Sequence, residues 1–141
     1  MMADLLDTLN IASSGLAAQR VRLQTVSANL ANAQTTRTAE GGPYQRKAPV
    51  FRANQLDTFG AAIDQELAGV EVARIESDAD VRWVHDPSHP DADEEGMVAY
   101  PDIDVLAEMV DMMTASRSYE ANANAVEVTR DMAERALEIG S

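Results

Sequence analysis

Cysteine is absent from this chain of 141 residues, which excludes a disulfide framework, a thiolate nucleophile and a thiolate metal site. The compartment is left open by that absence. Lysine is nearly absent too, Lys47 being the only one, and the formal net charge is −13. Phosphate binding needs clustered Lys and Arg, so nucleic acid is excluded as a ligand and an anionic membrane surface is disfavoured. No apolar run approaches the length of a bilayer span, so no direct membrane insertion is expected. The opening Met1-Met2-Ala3-Asp4-Leu5-Leu6-Asp7 lacks the basic segment and continuous apolar run of a secretory signal. The protein is expected either to stay in the cytoplasm or to leave by a route that cleaves no signal. Aromatic residues are few, at 4%, although the apolar fraction of 45% is that of a folded protein.

What is present is a pair of helical stripes at opposite ends. The first runs Met2, Leu5, Leu9, Ala12, Leu16, Gln19, Leu23, Val26, Leu30, Ala33, and the second Val105, Met109, Met112, Ser116, Tyr119, Ala123, Val126, Arg130, Ala133, Leu137. A 3-4 alternation averages 3.5 residues and keeps one seam of a helix facing a partner over many turns, the spacing of coiled-coil packing. The fold class expected is mainly α: two long terminal helices forming a coiled-coil-like core, with a small β or irregular middle. The corresponding division is 1–36 for an N-terminal axial helix, 37–101 for the middle, and 102–141 for a C-terminal axial helix. Without its helices the chain keeps about sixty residues, a unit that buries only about 60% of its unfolded surface and is marginal alone. Helices of about 45 to 55 Å are too long for a compact globule of this size.

Acids in the first turn, with Asp4 and Asp7, suit the start of the first helix. Ser13, Ser14 and Gly15 mark a place for a bend or break, since Gly costs about 1 kcal/mol against Ala in a helix interior. Thr35 to Pro43 stops the helix and turns the chain. Strands are expected over Tyr44 to Ala53, Gly69 to Ile75 and around Val81, Trp83 and Val84. Asn54 to Leu67 fits a short helix interrupted by Gly60, and His85 to Pro101 reads as a loop before Asp102 and Asp104 open the second helix. That last segment, from Asp102, carries nine acids and three arginines. They keep a solvated helix face soluble.

Chemistry-bearing motifs are sparse. His85 and His89 are four apart, but Pro87 and Pro90 forbid the regular helix that would bring them to one metal. Asp91, Asp93, Glu95, Gly96 and Asp102 fall at the spacing of a calcium loop, yet the Pro-rich approach supplies no entering helix, and a turn launching the second helix is the alternative. No nucleophile elbow or phosphate loop occurs, so no enzyme activity, cofactor or metal ligand is assigned. Asn29 and Asn122 each sit at the edge of an apolar seam, where an unpaired amide costs about 1 to 3 kcal/mol and a paired one fixes register. The alternative is a surface asparagine wetted by solvent. The candidate assembly interface comprises Leu9, Leu16, Leu23, Val26, Asn29, Leu30 and Asn32 on the first helix. On the second it comprises Met109, Met112, Tyr119, Asn122, Val126 and Leu137, with Gln19 and Arg130 as polar interruptions that set register or reach neighbours.

The stretches Ala12-Ser13-Ser14-Gly15-Leu16-Ala17-Ala18-Gln19-Arg20 and Ser27-Ala28-Asn29-Leu30-Ala31-Asn32-Ala33-Gln34-Thr35-Thr36-Arg37-Thr38 closely resemble the N-terminal segment of bacterial flagellar axial proteins. Glu40 to Lys47, Asp86 to Asp93, Gly96 to Asp104 and Ala115 to Asn122 narrow the resemblance to the proximal rod proteins of that family, in order and over nearly the whole chain. The resemblance implies terminal helices packed as an axial core, a middle forming the outer part of a tubular assembly, and export through the flagellum's own apparatus. It also implies a rod in the periplasm that transmits motor torque. The partners it implies are other rod proteins, copies of the same chain and the small ring-to-rod junction protein. A soluble coiled-coil adaptor or chaperone of a secretion system, and a calcium-responsive binding protein, are the competing readings.

Overall fold

Two helices of 30 and 35 residues dominate the computed structural model, which describes residues 2–55 and 68–139. The order is α1 (Met2–Ala31), β1 (Arg46–Gln55), β2 (Ala68–Asp78), β3 (Val81–His85), β4 (Met97–Pro101) and α2 (Val105–Ile139). At 1.5 Å rise per residue the helices measure about 45 and 52 Å. The mainly α expectation holds, with terminal helices and two small antiparallel sheets between them.

The two helices pack antiparallel, since Asn29 near the end of α1 meets Glu108 near the start of α2, while Gly15 meets Asn122. α1 runs unbroken through Ser13-Ser14-Gly15. These small residues instead admit neighbours on two sides. A Cβ on Gly15 would lie 2.8 Å from Nδ2 of Asn122. The hydroxyl of Ser14 accepts a hydrogen bond from the Val70 amide at 3.0 Å, with Gly69 bare beside it. The helix gives up local propensity at Gly15 and gains close approach to α2 in return.

Past Ala31 the chain turns through bonds from Asn32 N–H to the Ala28 carbonyl and from Thr35 N–H to the Asn32 carbonyl. Gly41 and Gly42, both at positive φ, complete the turn into β1. β1 and β2 pair antiparallel with an irregularity between Val50 and Phe51. The strand expected from Tyr44 begins two residues later, because the Tyr44 amide is spent on the Thr35 carbonyl. The short helix expected over Asn54 to Leu67 lies outside the described residues except for Asn54 and Gln55, which end β1.

The expected loop from His85 to Pro101 contains β4, paired antiparallel with β3 so that Trp83 faces Ala99. Five residues between Gly96 and the chain's turn into α2 give little local signal; the ladder to β3 decides them. Val98 and Pro101 are buried there. α2 is started by Asp104, whose Oδ1 accepts from the amides of Leu106 at 2.9 Å and Ala107 at 3.1 Å. Such a cap stabilises a helix by about 1 kcal/mol.

Candidate functional site

The face of α2 that meets α1 follows the 3-4 alternation, displaced by one residue from the expected seam. Glu108, Ala115 and Thr129 are buried, and Met112, Tyr119, Asn122, Val126 and Ala133 are half-buried between them. Of the expected interface on this helix, Met109 and Leu137 are exposed, as are Val105 and Arg130 from the same stripe. On α1, Val26 and Asn29 are buried, whereas Leu9, Leu16, Leu23 and Leu30 are half-buried. Among the described residues of α2 the seam fully buries only Glu108, Ala115 and Thr129, and it leaves Val105, Met109 and Leu137 outside. Two parallel stripes, one residue apart, share Met112, Tyr119, Val126 and Ala133, and hydropathy alone favours the outer one.

Behind the seam lies a polar node that ties three elements together. Asn29, 1% exposed, donates from Nδ2 to the Lys47 carbonyl at 2.8 Å and to Oε2 of Glu108 at 3.0 Å. Its Oδ1 accepts from the Lys47 amide at 2.9 Å and from the Tyr44 hydroxyl at 3.1 Å. Glu108, 2% exposed, receives Nε of Arg46 at 2.7 Å. A buried carboxylate is tolerable only with such partners, since removing one leaves an uncompensated charge. The Tyr44 phenol is held above its ordinary pKa, first by burial and then by the Glu108 carboxylate. The edge asparagine at position 29 is therefore a buried, fully paired amide rather than one wetted by solvent. Its partner Glu108, itself held by Arg46, escaped sequence reading because acids at the start of α2 look like first-turn surface residues.

Asn32 has a different duty: its Nδ2 donates to the Ala28 carbonyl at 2.9 Å and its Oδ1 accepts from Thr35, so it finishes α1. Arg22 clasps Asp111 across the helix pair. Arg130 is exposed beside Glu134 on its own helix, and Oε1 of Gln19 is buried without a partner, a cost of about 1 to 3 kcal/mol.

The calcium-loop reading is not favoured by where its residues go. Asp91 accepts from the Thr36 hydroxyl at 2.8 Å and from Arg37, interactions that hold its carboxyl below the usual aspartate range. Asp93 accepts from the amides of Glu95 and Met97, and β4 occupies the stretch leading to Asp102. Among the described residues no three His, Asp or Glu converge as metal ligands. His89 also turns inward, accepting on Nδ1 from the Asp91 amide at 3.1 Å.

Outside the seam, α2 presents large apolar side chains to solvent. Leu106, Val110, Met113, Val128 and Met132 are between 57% and 71% exposed and recur on one face of the helix. They form two runs, Leu106 to Met113 and Val128 to Met132, separated by exposed Arg117, Glu120 and Asn124, and exposed apolar surface is where interaction sites are found.

Comparison with known proteins falls on these same helices. Residues 9–37 match the family model described as flagella basal body rod protein, and residues 94–139 match that of the flagellar basal body rod FlgEFG protein C-terminal. The chain is 43% identical over 145 residues to the flagellar basal-body rod protein FlgC of Bacillus subtilis, covering 94% of this chain and 96% of that protein. It is 41% identical over 147 residues to the FlgC of Borreliella burgdorferi, covering 96% and 97%. To the FlgC of Salmonella typhimurium it is 43% identical over 137 residues, covering 96% and 98%.

Proposed function

Since the chain belongs to the flagellar basal-body rod protein FlgC family and is a structural subunit of the rod, we propose that its terminal helices pack as a coiled-coil-like axial core of a tubular shaft that transmits motor torque. The observation that carries this reading is the exposed apolar face of α2, from Leu106 to Met132, left over after α1 has taken its share. A shaft under torsion needs many modest contacts acting together. Each large apolar side chain fully buried contributes about 1.5 to 3 kcal/mol.

Within this reading the helical ends, 1–36 and 102–141, are the axial part and 37–101 the outer part. Leu9, Leu16, Leu23, Val26, Leu30, Met112, Tyr119 and Val126 hold the pair, Asn29 and Asn122 fix its register, Asn32 finishes α1, and Met109 and Leu137 reach neighbouring subunits. The neighbours are copies of the chain, other rod proteins and the ring-to-rod junction protein. The subunit reaches the periplasm through the flagellar export apparatus, and its role is mechanical rather than catalytic. Deleting the gene and purifying basal bodies tests this: membrane rings lacking everything beyond them are expected, and intact rods in the deletion strain would refute it.

A further inference from the structure

We propose that a cavity between the turn at 36–43 and the β3–β4 sheet receives a basic side chain carried by an extended segment of another protein, with Trp83 as its platform. The proposal stands on the middle of the chain and uses neither the helix seam nor the exposed faces of α1 and α2.

Trp83 is the chain's single tryptophan, and it is 56% exposed. In the β3–β4 ladder it stands opposite Ala99, whose methyl group is too small to cover an indole. The residue lines a cavity of about 430 Å³, within the range of small-ligand sites, about 300 to 1,000 Å³. Pro43 and Met97 add apolar wall. Gly41 and Gly42 complete the wall with bare backbone, at the positive φ that the turn requires, and a Cβ on either would meet nothing within 4 Å.

Charge decides the occupant. Asp91 and Asp93 line the cavity against one cation, Arg37, and the next two residues of the same loop, Glu94 and Glu95, are exposed acids. Arg37 does not saturate Asp91. Its Nη1 stands 3.4 Å from Oδ1 with the side chain 76% exposed, while Oδ2 accepts from the Thr36 hydroxyl at 2.8 Å. A carboxylate offers about four lone-pair sites, so a second guanidinium or an ammonium has a place beside Arg37. The Thr36 bond also favours the ionised form of that carboxyl. A cation over an aromatic face is drawn to the ring quadrupole, and Trp is the strongest of the aromatic platforms. The apolar walls suit the long stem of Arg or Lys, which a bare metal ion lacks. An acidic segment would gain from neither the carboxylates nor the ring, and a chain of net charge −13 repels it before contact.

Because the chain has one tryptophan, emission from the purified protein reports on Trp83 alone. Titration with a blocked leucyl-arginyl-leucine peptide is expected to shift that emission to the blue and to saturate, whereas the leucyl-glutamyl-leucine counterpart is expected to leave it unchanged. Asp91→Asn keeps an acceptor for the Thr36 hydroxyl but removes the charge, so it should raise the half-saturating concentration of the arginine peptide about tenfold. Circular dichroism checks the fold of that variant, and the two peptides on the native chain test the proposal without it. No saturable shift with the arginine peptide, an equal response to the glutamate peptide, or undiminished affinity in folded Asp91→Asn would each overturn the proposal. So would spermidine acting at the same concentration as the arginine peptide, since that marks a site for cations at large rather than for a polypeptide segment. The titration is read on the isolated chain, so its failure and that of the rod reading are distinguishable.

Discussion

Asn29 satisfies four hydrogen-bonding partners from a position 1% exposed, among them both the amide and the carbonyl of Lys47. Asn29→Ala leaves Lys47 N–H and one Glu108 oxygen without their partner, and buried unsatisfied groups cost about 1 to 3 kcal/mol each. A loss of about 3 kcal/mol in chemical denaturation is expected, and a loss under about 1 kcal/mol would show the node to be ornamental. Gly15 and Asn122 call for a double-mutant cycle. Gly15→Ala gains about 1 kcal/mol of helix propensity, but its Cβ would press on the Asn122 amide. The substitution is therefore expected to stabilise more in the Asn122→Ala background than in the native one, and equal effects would mean the amide swings aside freely. Tyr44 adds an alkaline limit. Its folded pKa is raised, so its contribution is complete below the ordinary tyrosine value of 10.0 and is lost as pH climbs through the folded value. Denaturation midpoints should fall in that window for the native chain, and less so for Tyr44→Phe.

Among the elements, α2 has support that weakens along its length. Its start is capped by Asp104 and gripped through Glu108 by both Asn29 and Arg46, and Asp111 is held by Arg22. Beyond Val126, Thr129 is the buried side chain, while Val128, Met132 and Leu137 face water. In the isolated subunit, backbone amides after Val126 are expected to exchange with solvent faster than those near Ala115, and limited proteolysis to cut the helical ends before the middle. Equal protection along α2 would contradict this. The two helices and the strands over Tyr44 to Ala53 and Gly69 to Ile75 were legible because periodicity, the acids Asp102 and Asp104 and the Gly41-Gly42 turn are local signals. The rotation of the α2 seam was not, because it depends on tertiary contacts: bare Gly15 admits Asn122, and Asn29 and Arg46 hold Glu108. β4 was hidden for a related reason: its only evident cause is the partner strand.

For the whole molecule, the balance between like charge and exposed apolar surface governs behaviour. Copies each carrying −13 repel one another at long range, and salt screens that repulsion while leaving apolar burial intact. Self-association of the purified chain should therefore strengthen as salt is raised, and weakening in sedimentation experiments would point to a charge-driven contact instead. Quantifying this chain in basal bodies purified from flagellated cells, alongside basal bodies from a strain lacking it, is decisive. The chain is expected in the purified structures, with rods missing when it is deleted. Its confinement to the cytoplasmic fraction, with intact rods in the deletion strain, would contradict a rod subunit.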